Sequence, residues 1–281
     1  MEKVEDIILR HSQRGMLKLK EYMSESYCRE AAEMILGWEK GVIFLTTGFY
    51  VAGFPETDGP AGTFVLSRAL QQLGYEPVII TEAYCDGFFE EEGIPVIYMK
   101  PDADVQVCKE LLAKWNPTGI ISIEKCGVNI AGDYANMRGV SIKEHTAPVD
   151  LLFNSSMGKI PSIGIGDGGN EIGMGNLSGV ILNELSIVPC VTHVDHLVIA
   201  SVSNWGAYGI AAYLEMLTGR NVMMEYQEVY DFIAKTVKKG SVDGLTRERT
   251  ISVDGFPITV EQEIIESLCQ LINQTTLVAG A

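Results

Sequence analysis

The sequence predicts an α/β fold, an open and mostly parallel buried sheet with helices on both faces, preceded by an N-terminal helical segment. Three observations predict it. Short, almost wholly apolar runs recur at residues 42–46, 78–81, 96–99, 119–123, 163–165 and 194–202, and such strands fit a sheet covered on both sides. Stretches with helical spacing fall between them, the alternation of a parallel, Rossmann-like sheet. Polar and glycine-rich segments follow several of the runs, at the strand ends where open α/β sheets place their ligands.

Residues 1–40 read as helix, with apolar positions at Ile7, Ile8, Leu9, Met16, Leu17, Leu19, Ala31, Met34, Ile35 and Leu36 between charges. Gly15 and residues 24–27 break this segment into pieces, and Gly37 and Gly41 close it. His11 and Arg14 read as solvated or capping residues. The run 42–46 opens into a long loop with Gly48, Gly53 and Gly59, then a helix over 60–73 that stops at Gly74. Pro60 suits a first helical position, and Asp58 or Gly59 suits its cap. Free N–H groups there predict an anion site over Asp58, Gly59 and Gly62. Glu56 and Asp58 could instead serve acid–base or metal chemistry. The loop matches neither a phosphate-binding P-loop nor GxGxxG, so no nucleotide cofactor is indicated.

A helix is expected over 103–115, and the strand 119–123 ends directly at Glu124, a candidate site carboxylate. Arg138, in the polar stretch that follows, has the planar fork of donors that clamps a carboxylate. Cys126 lacks a histidine neighbour in sequence that would make it a nucleophile. A helix end is expected over 181–187. The strand 194–202 begins with Asp195 and His196 after His193, at the end away from a site, so these read as structural. It ends in Ser203, Asn204, Trp205 and Gly206, a further polar turn with Asn204 as a substrate contact, before a helix over 207–218. Helices over 225–239 and 260–273 flank a short strand at 250–253. Asp243–Gly244 and Asp254–Gly255 read as turn pairs, and residues 275–281 as a loose tail.

Neither a repeat nor a linker interrupts this rhythm, so residues 1–281 are expected to form one domain. The 37 acidic residues against 21 basic give a net charge of −16, which argues against nucleic acid or an anionic membrane as partner. A small acidic substrate stays open, since a pocket can be locally positive; so does a homodimer. Six cysteines without CxxC spacing read as free thiols of a reducing compartment. The first residues show no leader pattern, and Asp195, His196, Asn204 and Glu215 interrupt the longest apolar region, so a cytoplasmic protein is expected.

The most informative stretch is PSIGIGDGGNEIGMGNL at 161–177. Half of residues 166–175 are glycine, yet Asp167, Asn170 and Glu171 sit among them. Glycine admits left-handed conformations and close backbone approach at an entropic cost. Accepting that cost repeatedly around three polar groups points to a shaped site more than to a plain strand-to-helix turn.

The segments 53–62 and 124–139 together with GDGGNEIGMGN at 166–176 resemble the D-glutamate cyclase family. The likeness spans residues 14–257 and is most specific in that last motif. It implies conversion of D-glutamate to 5-oxo-D-proline and water. The roles of residues follow from what that chemistry needs. Asp167 and Glu171 are assigned to base or metal duty, with Glu124 as the alternative base and Asn170 as donor or ligand. The Gly168–Gly169 backbone is expected to cradle an oxyanion. Arg138 and the helix start at Asp58–Gly62 are expected to hold carboxylates. Oxygen ligands of this kind suit Mg²⁺ or Mn²⁺. A hydrolase or lyase of another small amino or hydroxy acid, or a noncatalytic module binding an acidic metabolite, are the alternatives.

Overall fold

The computed structural model describes residues 2–279, with side chains to residue 275. The chain begins with α1 (Val4–Ile8), α2 (Met16–Leu19) and α3 (Tyr27–Leu36), the broken helical segment expected from its glycines. Strand β1 (Val42–Thr46) leads through a small hairpin, β2 (Tyr50–Val51) and β3 (Phe54–Pro55), into α4 (Pro60–Gln72). Then come β4 (Glu76–Thr81), β5 (Val96–Tyr98), α5 (Val105–Trp115) and β6 (Gly119–Ile123). They are followed by α6 (Asp150–Ser156), β7 (Ser162–Gly166), α7 (Ser178–Glu184) and β8 (His196–Ile199). The chain ends with α8 (Ser203–Thr218), α9 (Tyr226–Lys239), the hairpin β9 (Ser252–Val253) and β10 (Phe256–Pro257), and α10 (Ile258–Ala279).

The six long strands form one parallel sheet in the order β5-β4-β1-β6-β7-β8. In register, Leu45 lies between Ile79 and Ile121, and Ile165 between Ile123 and Val198. The chain winds outward from β1 in one direction and then from β6 in the other. This doubly wound order leaves a crevice between β1 and β6, at the carboxyl ends of the strands. Helix α8 is buried along almost its whole length and packs on α4, α3, α10 and α1. The N-terminal helices meet α8 at Gly209, where a Cβ would stand 2.9 Å from Cys28 Sγ and from Val4, while Trp205 and Tyr208 donate hydrogen bonds to Glu261 on α10. On α5, Trp115 meets Phe44 edge-on, and α5 packs against α6. One hydrophobic core runs from Val4 to Ile272.

Several elements differ from the sequence reading, among them the helix end expected over 181–187, which is α7 at 178–184, and the strand expected at 250–253, which covers only 252–253. The β8 ladder covers only four residues of the apolar run 194–202, and α8 starts at Ser203 instead of 207, because Asp58 supplies acceptors for its first N–H groups. Helix α6 interrupts a stretch with no expected element. Helix α10 continues to Ala279, since no glycine or proline stops it before Gly280; residues 275–279 of the expected tail are therefore helical, and 280–281 lie outside the described residues. Among the described residues, no helix is long and apolar enough to cross a membrane.

Candidate active site at the sheet's crevice

Six carboxylates converge at the carboxyl end of the central strands. Glu56 and Asp58 come from the loop after β1, Glu124 from the residue after β6, and Asp167 and Glu171 from the loop after β7. Asp254 comes from the β9–β10 turn. None is more than 6% exposed. Asp58, Asp167 and Asp254 each offer an oxygen within 4.8 Å of the others, as do Glu124, Asp167 and Glu171, so Asp167 belongs to both triads.

Among the described residues, one guanidinium is ion-paired with them. Arg14 places Nη1 2.7 Å from Asp167 Oδ1 and Nη2 2.7 Å from Asp254 Oδ2. The sequence reading left this arginine as a surface or capping residue; the chain instead threads it into the crevice. Gly15, in a left-handed conformation, makes this entry possible, since a Cβ there would lie 2.4 Å from Leu185 Cδ2. Burial would lower the Arg14 pKa, but the charges of Asp167, Asp254 and Glu124 outweigh it and hold the pKa well above the usual arginine range.

The acids are raised as well, which for them favours the neutral form. Burial is the largest cause in each case and raises Glu56, Asp58, Glu124 and Asp167 well above the carboxylate range, with neighbouring negative charges adding to it. Glu171 is raised too, although the N–H groups of Gly169 and Gly168 oppose the shift. Carboxyls that hold protons toward neutrality in a crevice are suited to acid–base chemistry.

The glycines of the central motif serve this geometry directly. Gly168 N donates to Glu171 Oε1 at 2.9 Å and Gly169 N to Glu171 Oε2 at 2.7 Å. The pair expected to cradle an oxyanion is therefore committed to fixing a carboxylate. A Cβ at Gly166 would stand 2.9 Å from Glu171 Oε2, and one at Gly164 2.6 Å from the Ile172 carbonyl. The motif folds back across its own strand, and side chains there would block it.

The helix start at 58–62 is likewise closed to a ligand. Asn204 Oδ1 accepts from Gly59 N at 3.0 Å and Gly62 N at 2.6 Å, while its Nδ2 donates to Thr57 O. Asp58 in return accepts from Ser203 N and Asn204 N at the start of α8. The two helices cap one another, so Asp58, Gly59, Gly62 and Asn204 act beneath the crevice, holding α4 and α8 together, and their donors are not free for substrate.

Above this floor opens a cleft of about 410 Å³, lined by Arg14, Glu56, Glu124, Asn170, Glu171 and Asp254 at depth. Phe49, Tyr50, Val51, Met137 and Ile142 form its walls, and Arg138 and Arg247 line it as well. His145 lies flat on Tyr50 with ring centroids 4.0 Å apart. Arg138 is exposed and donates to the Leu245 carbonyl at 3.4 Å. Asn170 donates through Nδ2 to the Ala135 carbonyl. Glu124 sits in a left-handed backbone conformation, and its Oε2 accepts from the Ser203 hydroxyl at 2.6 Å. Ala52, Arg247 and Asp254 share that uncommon conformation and also line the cleft. Backbone strain gathered in this way is characteristic of functional sites.

Neither triad is fully satisfied from within the protein. In the first, Arg14 neutralises Asp167 and Asp254, and backbone N–H groups serve Asp58. Asp167, common to both triads, has its Oδ2 buried with no hydrogen-bond partner among the described residues, and Asp254 Oδ2 has only its ion pair with Arg14. An orphaned carboxylate oxygen beside Glu124 and Glu171 fits a hard divalent cation. His193, Asp195 and His196 lie away from this cluster: Asp195 binds the Ser162 backbone and hydroxyl, and His196 contacts the Tyr27 carbonyl. Cys126 is buried, with burial pushing its thiol up, so it is not an activated nucleophile.

The model of a family described as D-glutamate cyclase-like, C-terminal matches residues 4–269. The mitochondrial D-glutamate cyclase of Homo sapiens is 32% identical over 212 residues, which cover 66% of this chain and 34% of the human protein. The aligned region thus spans about a third of that relative's length.

Proposed function

Since the chain belongs to the D-glutamate cyclase-like C-terminal family, we propose that it is an enzyme that closes D-glutamate to 5-oxo-D-proline with loss of water. The observation that carries this reading is the crowd of buried carboxylates around Arg14 at the base of a cleft, with Asp167 Oδ2 unpartnered. The reaction joins the amine to the γ-carboxyl carbon. The ammonium gives up two protons, and the departing γ-oxygen takes both as water.

Glu56 is placed to accept the first proton. It lines the cleft, its side chain has no hydrogen-bond partner among the described residues, and burial raises its pKa toward the range of an effective general base. Without a metal, Glu124, held by Ser203, is the second proton carrier. A Mg²⁺ or Mn²⁺ ion on Glu124, Asp167 and Glu171 would polarise the γ-carboxyl and offset charge on its oxygens. Asn170, at the same depth, adds an amide to that end of the cleft. Arg138 would hold the α-carboxylate, so that the substrate stays folded in attack geometry.

The test is proton NMR of D-glutamate and of L-glutamate with purified protein, with and without Mg²⁺ or Mn²⁺. The expected result is 5-oxoproline from the D-enantiomer only, increased by the metal. Binding of D-glutamate without product under every metal condition would replace the reading with that of a binding module.

A further inference from the structure

We propose that Arg247, together with Arg138, forms a carboxylate subsite at the mouth of the cleft, and that Arg247 is its specificity-determining member. The proposal rests on the dicarboxylate substrate class given above. The floor cannot hold an anion by itself, because Glu56, Glu124, Glu171 and Asp254 would repel it and Arg14 is already engaged by two aspartates. An acidic substrate therefore needs cations elsewhere in the cleft. Arg138 and Arg247 line the same cavity from two different loops, and neither forms an ion pair with any carboxylate among the described residues. The loops touch, since Arg138 Nη2 donates to the carbonyl of Leu245.

The turn that carries Arg247 is built around a buried aspartate. Asp243 Oδ1 accepts from Leu245 N at 3.0 Å and Thr246 N at 2.8 Å. Its Oδ2 accepts from Ser252 Oγ and Gly255 N. Arg247 N closes the turn on the Asp243 carbonyl at 2.8 Å. This leaves Arg247 at φ +64°, where glycine would be the easier residue. A long cationic side chain kept at a strained position beside a cleft points to a task for that side chain. The same aspartate, through Gly255, fixes the turn that bears Asp254, so floor and mouth are held by one device. Two planar guanidinium forks facing one opening suit a carboxylate.

The substitutions R247G, R247A and R247K test this, with R249A as control. Arg249 is on the same loop but lies over the Phe54 ring, 5.1 Å from its centroid, and does not line the cleft. Calorimetric titration uses glutarate, a dicarboxylate without the amine, and turnover uses D-glutamate. Wild-type protein is expected to bind glutarate; R247A and R247G should weaken it roughly tenfold, and R247K less. KM for D-glutamate should rise by about the same factor with kcat little changed. R247G should melt no lower than wild type, because glycine relieves the left-handed strain. Wild-type affinity in R247G, an equal loss in R249A, or no glutarate binding by the wild type would overturn the subsite. Glutarate binding that depends on Arg247 without D-glutamate turnover would leave the subsite standing and refute the cyclase reading instead.

Discussion

Replacing Asp167 by asparagine separates a carboxylate held for a ligand from one held for structure. Asp167 Oδ1 is 2.7 Å from Arg14. At an effective dielectric of ~20 that attraction is about 6 kcal/mol. Asp167 also faces four carboxylates, Asp58, Asp254, Glu124 and Glu171, with oxygens within 4.8 Å. Each such pair, when both are ionised, costs about 3.5 kcal/mol on the same footing. Two ionised neighbours therefore already offset the lost attraction, and Arg14 keeps its pair with Asp254. In metal-free buffer the D167N protein should be as stable as wild type or more so, by about 1–2 kcal/mol in the urea midpoint. Turnover should fall by at least ~100-fold, as when an electrostatic group at a reacting centre is removed. Metal at about a hundredfold its Kd stabilises the wild type by about 2.7 kcal/mol, which for a chain of this size is a Tm rise of about 5 °C; D167N should lose most of that rise. A D167N protein that is several kcal/mol less stable without metal, with an unaltered metal-induced rise, would refute the reasoning and make Asp167 a structural partner of Arg14.

Three further outcomes are expected. Glu261 on α10 accepts from Trp205 Nε1 and Tyr208 OH, and burial, against those two hydrogen bonds, pushes its pKa from 4.5 to about 7. Because the folded state holds this proton longer than the unfolded one, stability is lost as pH rises from about 4.5 through about 7. The interval amounts to about 3 kcal/mol, and urea midpoints at pH 5 and pH 8 should show a smaller difference in E261Q than in wild type. Asn204→Ala strands the Gly62 N–H group and the Thr57 carbonyl, while Gly59 N keeps Asp58 Oδ1, so the melt should show a loss of about 3 kcal/mol; a change under about 0.5 kcal/mol would show that the mutual capping of α4 and α8 matters little. Lys125 is fully buried against Glu82 and the Gly48 carbonyl. K125M should cost about 3–5 kcal/mol by leaving Glu82 uncompensated, and K125M/E82Q should recover much of it.

The sheet was legible because each central strand is a run of apolar residues that nothing else in the chain explains; β1 and β6 match the expected residues at both ends. The carboxylates that follow β6 and β7 were legible for the same reason, as polar groups at strand ends. What could not be read was the direction of hydrogen bonding. A glycine-rich loop announces available N–H groups, but not that Glu171 will turn back to take those of Gly168 and Gly169. Asp58 before Pro60 announces a cap, but not that it caps a helix some 145 residues later while Asn204 returns the favour. Such pairings are long-range, and short-range spacing carries no trace of them.

Arg14 and Asp254 illustrate the sharper limit. Each was read from its neighbours, one as a surface charge in a short helical segment and the other as half of an Asp–Gly turn, and both local readings are sound as far as they go: Asp254 does sit at φ +52° in a two-strand turn. Their role arises only because the chain's two ends are brought to one crevice by a sheet that contains neither. Five of the six carboxylates lie between residues 56 and 171, in the portion that builds the sheet, whereas the arginine that counters them and the sixth acid come from outside it. Without those flanking segments the sheet portion would keep five carboxylates at its crevice and lose the guanidinium that pairs with them. Charge balance in the acidic cluster therefore depends on Arg14 from the N-terminal segment and on the β9–β10 turn that brings Asp254 to it, which ties the integrity of the site to both flanking segments.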